Sequence, residues 1–408
     1  MMIETLVCTK IENGSIVTPK GFAAIGIHAG LRKERKDMGA IVCEVPASCA
    51  AVYTQNQFQA APLIVTKESI AAKGKLQAIV VNSANANSCT GEQGLQDAYE
   101  MRSLAAKEFH LEEHYVAVAS TGVIGEPLPM EKVRSGISIL QPSKEVEIAA
   151  SFYEAILTTD LVAKQSCYKL SIEGKEVAIA GAAKGSGMIH PNMATMLGFI
   201  TTDVNIESEA LQRALSQITN QTFNQITVDG DTSTNDMVLV MASGLSNTTA
   251  ICEGHPEWEK FLMALGKVCE DLAKQIAKDG EGATKLIEIN VHGTRTVEEA
   301  NMIAKQIVGS NLVKAAAFGE DANWGRIISA IGQSGIVIEP STVDIYIQSI
   351  AVLKGSEPQH FSEEEMKQLL QQSEIVIDVY VHLGKASGRA WGCDLSYEYV
   401  KINACYRT

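Results

Sequence analysis

Short apolar runs separated by polar turns dominate the first eighty residues of the chain. The runs at 23–27, 40–45, 50–53 and 62–65 each have the length and residue types of a strand. The run at 76–81 has the same character and predicts a compact buried strand. This part of the chain therefore predicts a sheet.

Helical spacing appears after the first strands, and the two patterns then alternate. Residues 92–109 place apolar side chains at intervals of three and four, which predicts a helix. The strongest helical pattern lies at 257–278, where one apolar stripe is typical of a helix that packs on a core. The mixture of strands and helices predicts a protein of the α/β class (mixed α+β).

The pattern changes to regular alternation of apolar and polar residues beyond residue 284. Strands with one buried face are predicted at 285–292, 343–350, 374–381 and 391–403. A chain of 408 residues is long for one domain. We therefore predict a main domain at 1–284 and a smaller α+β domain at 285–408.

Composition and charge exclude several classes of protein. Hydrophobic residues make up 46% of the chain and charged residues 20%, which is typical of a globular protein and argues against disorder. The formal net charge is −14, from 34 basic and 48 acidic residues. That balance disfavours nucleic acid or an anionic membrane surface as a partner.

Cysteine usage, and the lack of a signal peptide or a membrane-length apolar run in the sequence, indicate a cellular compartment. The nine cysteines are scattered and none forms a Cys-x-x-Cys pair, so neither a disulfide framework nor a cysteine zinc site is expected. The sequence shows no signal peptide and no apolar run of about 18–20 residues. A reduced, cytoplasmic, soluble protein is expected.

The stretch 184–203 carries the most specific chemical signal. It begins as a glycine-broken loop at Lys184 and becomes apolar and β-prone over 195–201, so that Thr195 begins a predicted strand behind the small residue Ala194. The Thr195 hydroxyl can attack the Ala194 carbonyl, the acyl group then shifts from nitrogen to oxygen, and water releases an amino-terminal threonine. A free α-amine has a pKa of about 7.7–8.0 and can act as the base for that hydroxyl.

Two other polar segments follow predicted strands. Thr121 and Gly122 offer a hydroxyl and an N–H that can form an oxyanion hole, in which losing one donor costs about 3–4 kcal/mol. The loop 82–87 holds three asparagines, which either build a structured turn or contribute to a site. An ordinary glycine turn, and an ordinary threonine at the start of a strand, are the competing interpretations.

Most motifs of common cofactor and metal sites are absent from the sequence. The one His-x-x-Glu-His match, at 110–114, falls between a predicted helix and a predicted strand, where a solvated connector is expected. There is no P-loop, no dinucleotide fingerprint and no Gly-x-Ser-x-Gly elbow. The loop 229–236 holds three aspartates but lacks the terminal glutamate of a calcium loop. No bound cofactor and no metal are expected, and a side-chain or N-terminal nucleophile remains as the source of catalysis.

Several segments together identify a family. They are 82–87, 89–91, 120–122, 184–198, 229–236, 318–325 and 403–408. In these segments the chain resembles the ornithine acetyltransferases, self-processing enzymes of the cyclic arginine pathway that often double as N-acetylglutamate synthases. The resemblance covers essentially the whole chain, and the stretch around Thr195 and the C-terminal tail are its most specific parts.

The resemblance implies an architecture and a processing event. The main domain would be a layered αββα sandwich of the N-terminal-nucleophile-like type. Cleavage between Ala194 and Thr195 would give an α chain (1–194) and a β chain (195–408) that stay associated, and two of each would form a heterotetramer.

The resemblance also implies a ping-pong mechanism and a set of site residues. Thr195 would accept the acetyl group of N2-acetylornithine and pass it to glutamate, with Thr121 and Gly122 holding the oxyanion. The residues that would line the substrate pocket are Thr158, Lys184, Thr195, Glu281, Asn403 and Thr408. Lys184 suits an α-carboxylate, Glu281 a cationic ornithine side chain, and the Thr408 tail would return to the active site.

Three alternatives stay open. Acetyl-CoA is a candidate second acetyl donor if the enzyme is bifunctional. A self-processing aminopeptidase or amidase would resolve the acyl-enzyme with water instead of an amino acid. A non-catalytic binding or assembly protein with the same fold would remain uncut.

Overall fold

The computed structural model describes residues 8–190 and 196–405. These residues form strands β1 Cys8–Lys10, β2 Phe22–Ile27, β3 Met38–Tyr53, β4 Lys75–Asn82, β5 Val116–Ser120, β6 Lys164–Ile172, β7 Lys175–Lys184, β8 Leu197–Thr202, β9 Ile226–Thr227, β10 Met237–Ala242, β11 Leu286–Thr294, β12 Asp344–Ile347, β13 Ile350–Lys354, β14 Glu357–Pro358, β15 Glu374–Tyr380 and β16 Ala386–Cys393. The helices are α1 Ala61–Lys73, α2 Gly91–Glu108, α3 Met130–Ile137, α4 Val146–Ala149, α5 Ser151–Ala155, α6 Ser208–Gln221, α7 Trp258–Lys278, α8 Val297–Val308, α9 Asn311–Phe318, α10 Trp324–Gly332, α11 Glu363–Leu370 and α12 Tyr397–Cys405. Among these residues no helix is both long enough and apolar enough to cross a membrane.

A nine-stranded sheet in the order β1-β6-β7-β8-β10-β3-β4-β5, with β2 beside β3, forms the larger unit. Strand β3 joins two halves of this sheet. One half holds β2, β4 and β5, and the other holds β1, β6, β7, β8 and β10. The first part of β3 pairs with β2 and β4, and its last part pairs with β10. The register between β3 and β4 shifts between Val42 and Ala47. Pro46 lies within that shift, where its missing N–H breaks no ladder bond.

The two halves of the nine-stranded sheet share one core. Phe22, Ile41 and Ile79 from one half cluster with Phe199 and Leu239 from the other. Burial of each side chain of this size contributes about 1.5–3 kcal/mol to the stability of the folded protein. The two halves therefore pack as the inner layers of a sandwich.

Helices cover both outer faces of the sandwich. On one side α6 and α7 bury their apolar stripes against β7, β8 and β10. On the other side α1, α2 and α3 cover the half formed by β4 and β5. The predicted α/β class and αββα layering are confirmed.

A seven-stranded sheet forms the second unit, in the order β14-β13-β12-β15-β11-β16-β9. Helices α8, α10 and α11 bury one of its faces. Strand β9, which precedes residue 284 in the chain, pairs with β16 across the predicted domain boundary. The division at 284/285 stays a prediction.

The structure contradicts two predicted strands. Residues 62–65 lie in helix α1, which has Pro62 in its first turn, where a proline fits without losing a hydrogen bond. The predicted strand at 391–403 ends with β16, and its second half is helix α12. Both errors arise because a short apolar run fits a strand as well as one turn of a helix.

Candidate active site

A cavity of about 200 Å³ opens where the sandwich meets helix α12. Its lining includes all six of the predicted site residues that the structure describes: Thr121, Gly122, Thr158, Lys184, Glu281 and Asn403. Met196, which follows Thr195 in the chain, lines the same cavity. Residues separated by up to 282 positions in sequence, from 121 to 403, therefore meet at one place.

Ala194, Thr195 and Thr408 lie outside the described residues. Their assigned roles as cleavage site, nucleophile and pocket residue therefore stay predictions.

The Thr121–Gly122 turn follows directly from the end of strand β5. Gly122 has φ of +134°, a conformation that favours glycine. A Cβ atom at this position would lie 2.2 Å from the carbonyl carbon of Ala84. The glycine therefore lets the turn approach the 82–87 loop closely, so that Thr121 and Asn85 form a bridge.

Buried asparagines fix the backbone around this turn. The side-chain amide of Asn82 donates to the Asn85 carbonyl (2.9 Å), and its oxygen accepts from the Ser120 hydroxyl (2.6 Å). The Asn235 amide donates to the carbonyls of Ala86 (2.6 Å) and Ser120 (2.9 Å). The asparagines thus build a structured turn that holds Thr121 and Gly122 in place.

Lys184 ends strand β7 and carries the cationic group of the cavity. It is buried, and its Nζ donates to Thr121 Oγ1 at 3.3 Å. Burial lowers the pKa of Lys184, and the Asp160 and Asp236 carboxylates oppose that effect without cancelling it. A buried ammonium of this kind binds a carboxylate strongly because water screens the pair poorly.

Glu281 and Asn403 form the opposite wall. The Asn403 amide donates to Glu281 Oε2 at 2.7 Å. Gly187 makes room for this carboxylate, since a Cβ there would lie 2.4 Å from Glu281 Cδ. The Glu281 N–H donates to the Ser186 carbonyl at 3.0 Å, which ties this wall to the loop that follows Lys184.

Helix α12 places two residues toward the cavity. Tyr399 and Asn403 are four positions apart and share a helix face, and both line the cavity. The prediction that Asn403 lies in a strand was wrong, because residues 397–405 form helix α12. The spacing of four between Tyr399 and Asn403 is typical of one face of a helix. That spacing was the signal that could have found Tyr399.

Asp229 holds the backbone on the far side of the loop. Its carboxylate accepts from the N–H groups of Met188 (2.6 Å) and Ile189 (2.8 Å). Burial raises the pKa of Asp229, and these N–H groups partly oppose that rise. Through Asp229, the loop 229–236 therefore binds the backbone of the loop that follows Lys184.

Asp236, the last aspartate of the 229–236 segment, also lines the cavity, although the sequence motifs assigned it no role in the site. It is buried, and Oδ2 has no hydrogen-bond partner among the described residues. Burial raises the pKa of Asp236 well above its usual range. The strand that follows it is predicted from the apolar run after residue 236, but the pairing of that strand, β10, with β8 is not visible from local sequence.

His190 lies beside the loop and contacts a hydroxyl. Its Nδ1 is 2.9 Å from Thr227 Oγ1. Burial lowers the pKa of His190 to about 4, and the charge of Lys305 adds to the effect. In the part of the chain that the structure describes, no three His, Cys, Asp or Glu side chains are grouped to hold a metal ion.

Comparisons with known proteins agree with the motifs. The model of the ArgJ family matches residues 23–408. The chain is 72% identical to the arginine biosynthesis bifunctional protein ArgJ of Bacillus cereus, over the full length of both proteins. It is 64% identical to the protein of the same name from Geobacillus kaustophilus, over 99% of each.

A solved structure also matches part of the chain. It is the ornithine acetyltransferase of Mycobacterium tuberculosis in complex with ornithine, at 30% identity. The match covers 46% of this chain and 99% of that one, with a TM-score of 0.43. The resemblance predicted from the motifs is confirmed by the family model and the two full-length relatives. The chain therefore belongs to the ArgJ family.

Proposed function

We propose that this protein transfers the acetyl group of N2-acetyl-L-ornithine to L-glutamate in arginine biosynthesis. The observation that carries the proposal is the cavity itself. It joins a turn able to hold an oxyanion, a buried ammonium and an acidic wall beside Met196, the residue that follows Thr195. Acyl transfer through a hydroxyl nucleophile needs these groups together.

The first step is self-cleavage. The Thr195 hydroxyl attacks the Ala194 carbonyl, the peptide C–N bond breaks, and the resulting ester is hydrolysed by one water. The products are the α chain, 1–194, and the β chain, 195–408, with a new α-amine on Thr195. That amine accepts the hydroxyl proton in each later turnover.

Turnover then follows two half-reactions. The Thr195 oxygen bonds to the acetyl carbon, the C–N bond to ornithine breaks, and the leaving amine takes the proton. The amine of glutamate next attacks the acetyl ester, the C–O bond breaks, and the Thr195 hydroxyl is restored. Thr121 and Gly122 stabilise the oxyanion in both half-reactions.

The charges of the cavity suit both substrates. The Lys184 ammonium binds the α-carboxylate that ornithine and glutamate share. Glu281, held by Asn403, binds the side-chain ammonium of acetylornithine. Thr158 and Thr408 complete the proposed pocket.

Strand order supports continued association after cleavage. Strands β8 and β10 follow residue 195, yet they lie between β7 and β3, which precede residue 194. The two chains therefore remain joined by backbone hydrogen bonds on both edges of the inserted pair. Two such pairs form the proposed heterotetramer.

The proposal extends to donor and compartment. Acetyl-CoA is a second donor for the same acetyl-enzyme, which the word bifunctional in the names of the relatives supports. The reaction as written needs no resident cofactor. The nine cysteines are free, which supports the reducing cytoplasm as the compartment.

Intact mass under denaturing conditions tests the proposal. The wild type is expected as two fragments, the second beginning at Thr195, whereas Thr195→Ala stays whole at 43.8 kDa. Thr195→Ser, which keeps a hydroxyl, serves as the matched control and should still cleave. An uncut wild-type chain would overturn the mechanism.

Product analysis separates transfer from hydrolysis. Wild-type protein with N2-acetylornithine should release ornithine rapidly only when glutamate is present, and N-acetylglutamate should appear in equal amount. Ornithine and free acetate released at the same rate without glutamate would identify a hydrolase instead.

A further inference from the structure

A buried group of charges lies directly behind the cavity wall. Asp160 and Lys164 have fully buried side chains, and Asp279 is nearly as buried. Lys164 Nζ donates to Asp160 Oδ1 (2.7 Å), to Asp279 Oδ2 (2.5 Å) and to the Val162 carbonyl (3.2 Å). All three ammonium protons are therefore used, and the cation needs both carboxylates.

Asp160 connects this group to two elements of the cavity. Its Oδ2 accepts from the N–H (2.9 Å) and the hydroxyl (3.3 Å) of Thr158. Its Oδ1 accepts from the N–H of Gly185 at 2.7 Å, one residue beyond Lys184. The Thr158 hydroxyl proton is thus engaged, which leaves its oxygen to accept a hydrogen bond from a ligand N–H.

Asp160 also carries a charge that acts on Lys184, the neighbour of Gly185 in the chain. Burial raises the pKa of Asp160, but Lys184, Lys164 and the hydrogen bonds lower this pKa by more. The net pKa lies below the usual range, so the group is ionised. The charged groups that act on Lys184 are Asp160 and Asp236, which favour its ammonium form, and Lys164 and Arg32, which oppose it. Among these four, Asp160 has the largest effect.

We propose that Asp160 is a positioning residue of the acyl-transfer site, whose carboxylate orders Thr158 and Gly185 and sets a buried negative charge at the end of the strand that carries Lys184. Asp160 does not line the cavity and acts only through its neighbours. The inference rests on the proposed function for its effect on turnover. Its effect on Lys184 is independent of turnover.

Asp160→Asn keeps the shape of the side chain and removes its charge. Without that charge Lys184 loses its proton at lower pH, because a neighbouring anion favours the ammonium form. The KM for glutamate should therefore begin to rise at lower pH than in the wild type and reach about tenfold, the effect of losing one charged hydrogen bond. The change in kcat should be smaller.

A direct titration gives a readout that does not depend on activity. Protein labelled with 13C at lysine Cε is titrated by NMR, and the Lys184 signal is assigned with Lys184→Arg. In Asp160→Asn the signal should titrate at lower pH than in the wild type. An unchanged titration would overturn the proposal.

Asp279→Asn is the matched control. It removes an equally charged partner of Lys164, but Asp279 is not among the groups with the largest effects on Lys184. The Lys184 titration should shift less in this variant than in Asp160→Asn. Equal shifts in both variants would mean that the site has merely loosened, and would overturn the proposal.

Two double variants keep the test decisive if Asp160→Asn fails to fold, since each also replaces Lys164 by Met and stays charge-balanced. With Asp279→Asn, Asp160 remains beside Lys184 without the opposing Lys164, and the Lys184 signal should titrate at higher pH. With Asp160→Asn it should titrate lower than in the other double variant. Identical titrations in the two double variants would overturn the proposal. If the variants show the expected shifts but the wild type transfers no acetyl group, only the proposed function is overturned.

Discussion

Charged side chains cluster in two regions of the molecule, behind the cavity and on the open face of the second sheet, where aromatic rings join them. Behind the cavity, Asp160 and Lys164 are fully buried and each has several partners at fixed distances. On the open face, the rings of His292 and Tyr380 stack at 4.7 Å, and Asp378 lies beside them, but all three are only partly buried. Carboxylates are thus enclosed in one region and partly exposed to water in the other.

The difference teaches where electrostatics can direct chemistry. A charge in the interior acts at several times the strength it has at the surface, and leaving it unpaired is costly. A charge on an open face is screened, and its ion pairs contribute little. Substitutions of charged residues should therefore change the free energy of unfolding more behind the cavity than on the open face.

The largest effect is expected from Lys164→Met. Removing the cation leaves two buried carboxylates without their partner, which should lower the free energy of unfolding by about 3–5 kcal/mol. Lys278→Met is the control, because Lys278 pairs with Glu374 at 2.8 Å in an exposed position and should change stability by less than about 1 kcal/mol. Urea denaturation measures both. Equal losses would erase the distinction between the two regions.

A neighbouring pair on β15 compares the two faces of the second sheet. Ile377 points into the core and is 4% exposed, whereas Val376 lies on the open face and is only partly buried. Ile377→Ala should cost about 2–5 kcal/mol because it leaves a cavity. Val376→Ala should cost less than half as much. Thermal unfolding decides, and a larger loss for Val376→Ala would show that this face is covered in solution.

A smaller effect is expected from the pH dependence of stability through His190. Its pKa is lowered from 6.5 to about 4, so the unfolded chain binds a proton in that interval and the folded protein does not. The contribution of His190 is therefore fully present above pH 6.5 and is lost as pH falls toward 4. His190→Gln should show a shallower loss of stability across this interval. Identical slopes in both proteins would mean that His190 is open to water like the side chains of the open face.

Local sequence was sufficient for much of the fold. The apolar stripe of α7 and the alternation in β11 and β15 predicted elements that the structure contains, because each buries one regular face. The motif around Thr121 and Lys184 predicted residues that line one cavity. These features depend on neighbours within a few positions.

The rest depends on contacts between distant positions. Asp279 lies 115 residues from Lys164, and no local pattern indicates that the two meet. Asp236 faces the cavity only because β10 pairs with β8. Helix α12 begins near the point where Asp394 accepts from the N–H groups of Thr284 and Lys285, and that contact is equally invisible in the sequence.

The insertion of β8 and β10 between β7 and β3 also sets an order in time. Chain synthesis produces β3 and β7 first, and the gap between them is filled only after residue 242 has been made. Sheets built from such distant strands close late in folding. Since Asn403 also lines the cavity, a newly made chain completes the cavity only when nearly all of its residues have been synthesised. If the proposed self-cleavage follows the insertion of β10, the strand order leaves the two proposed chains paired when they are cut.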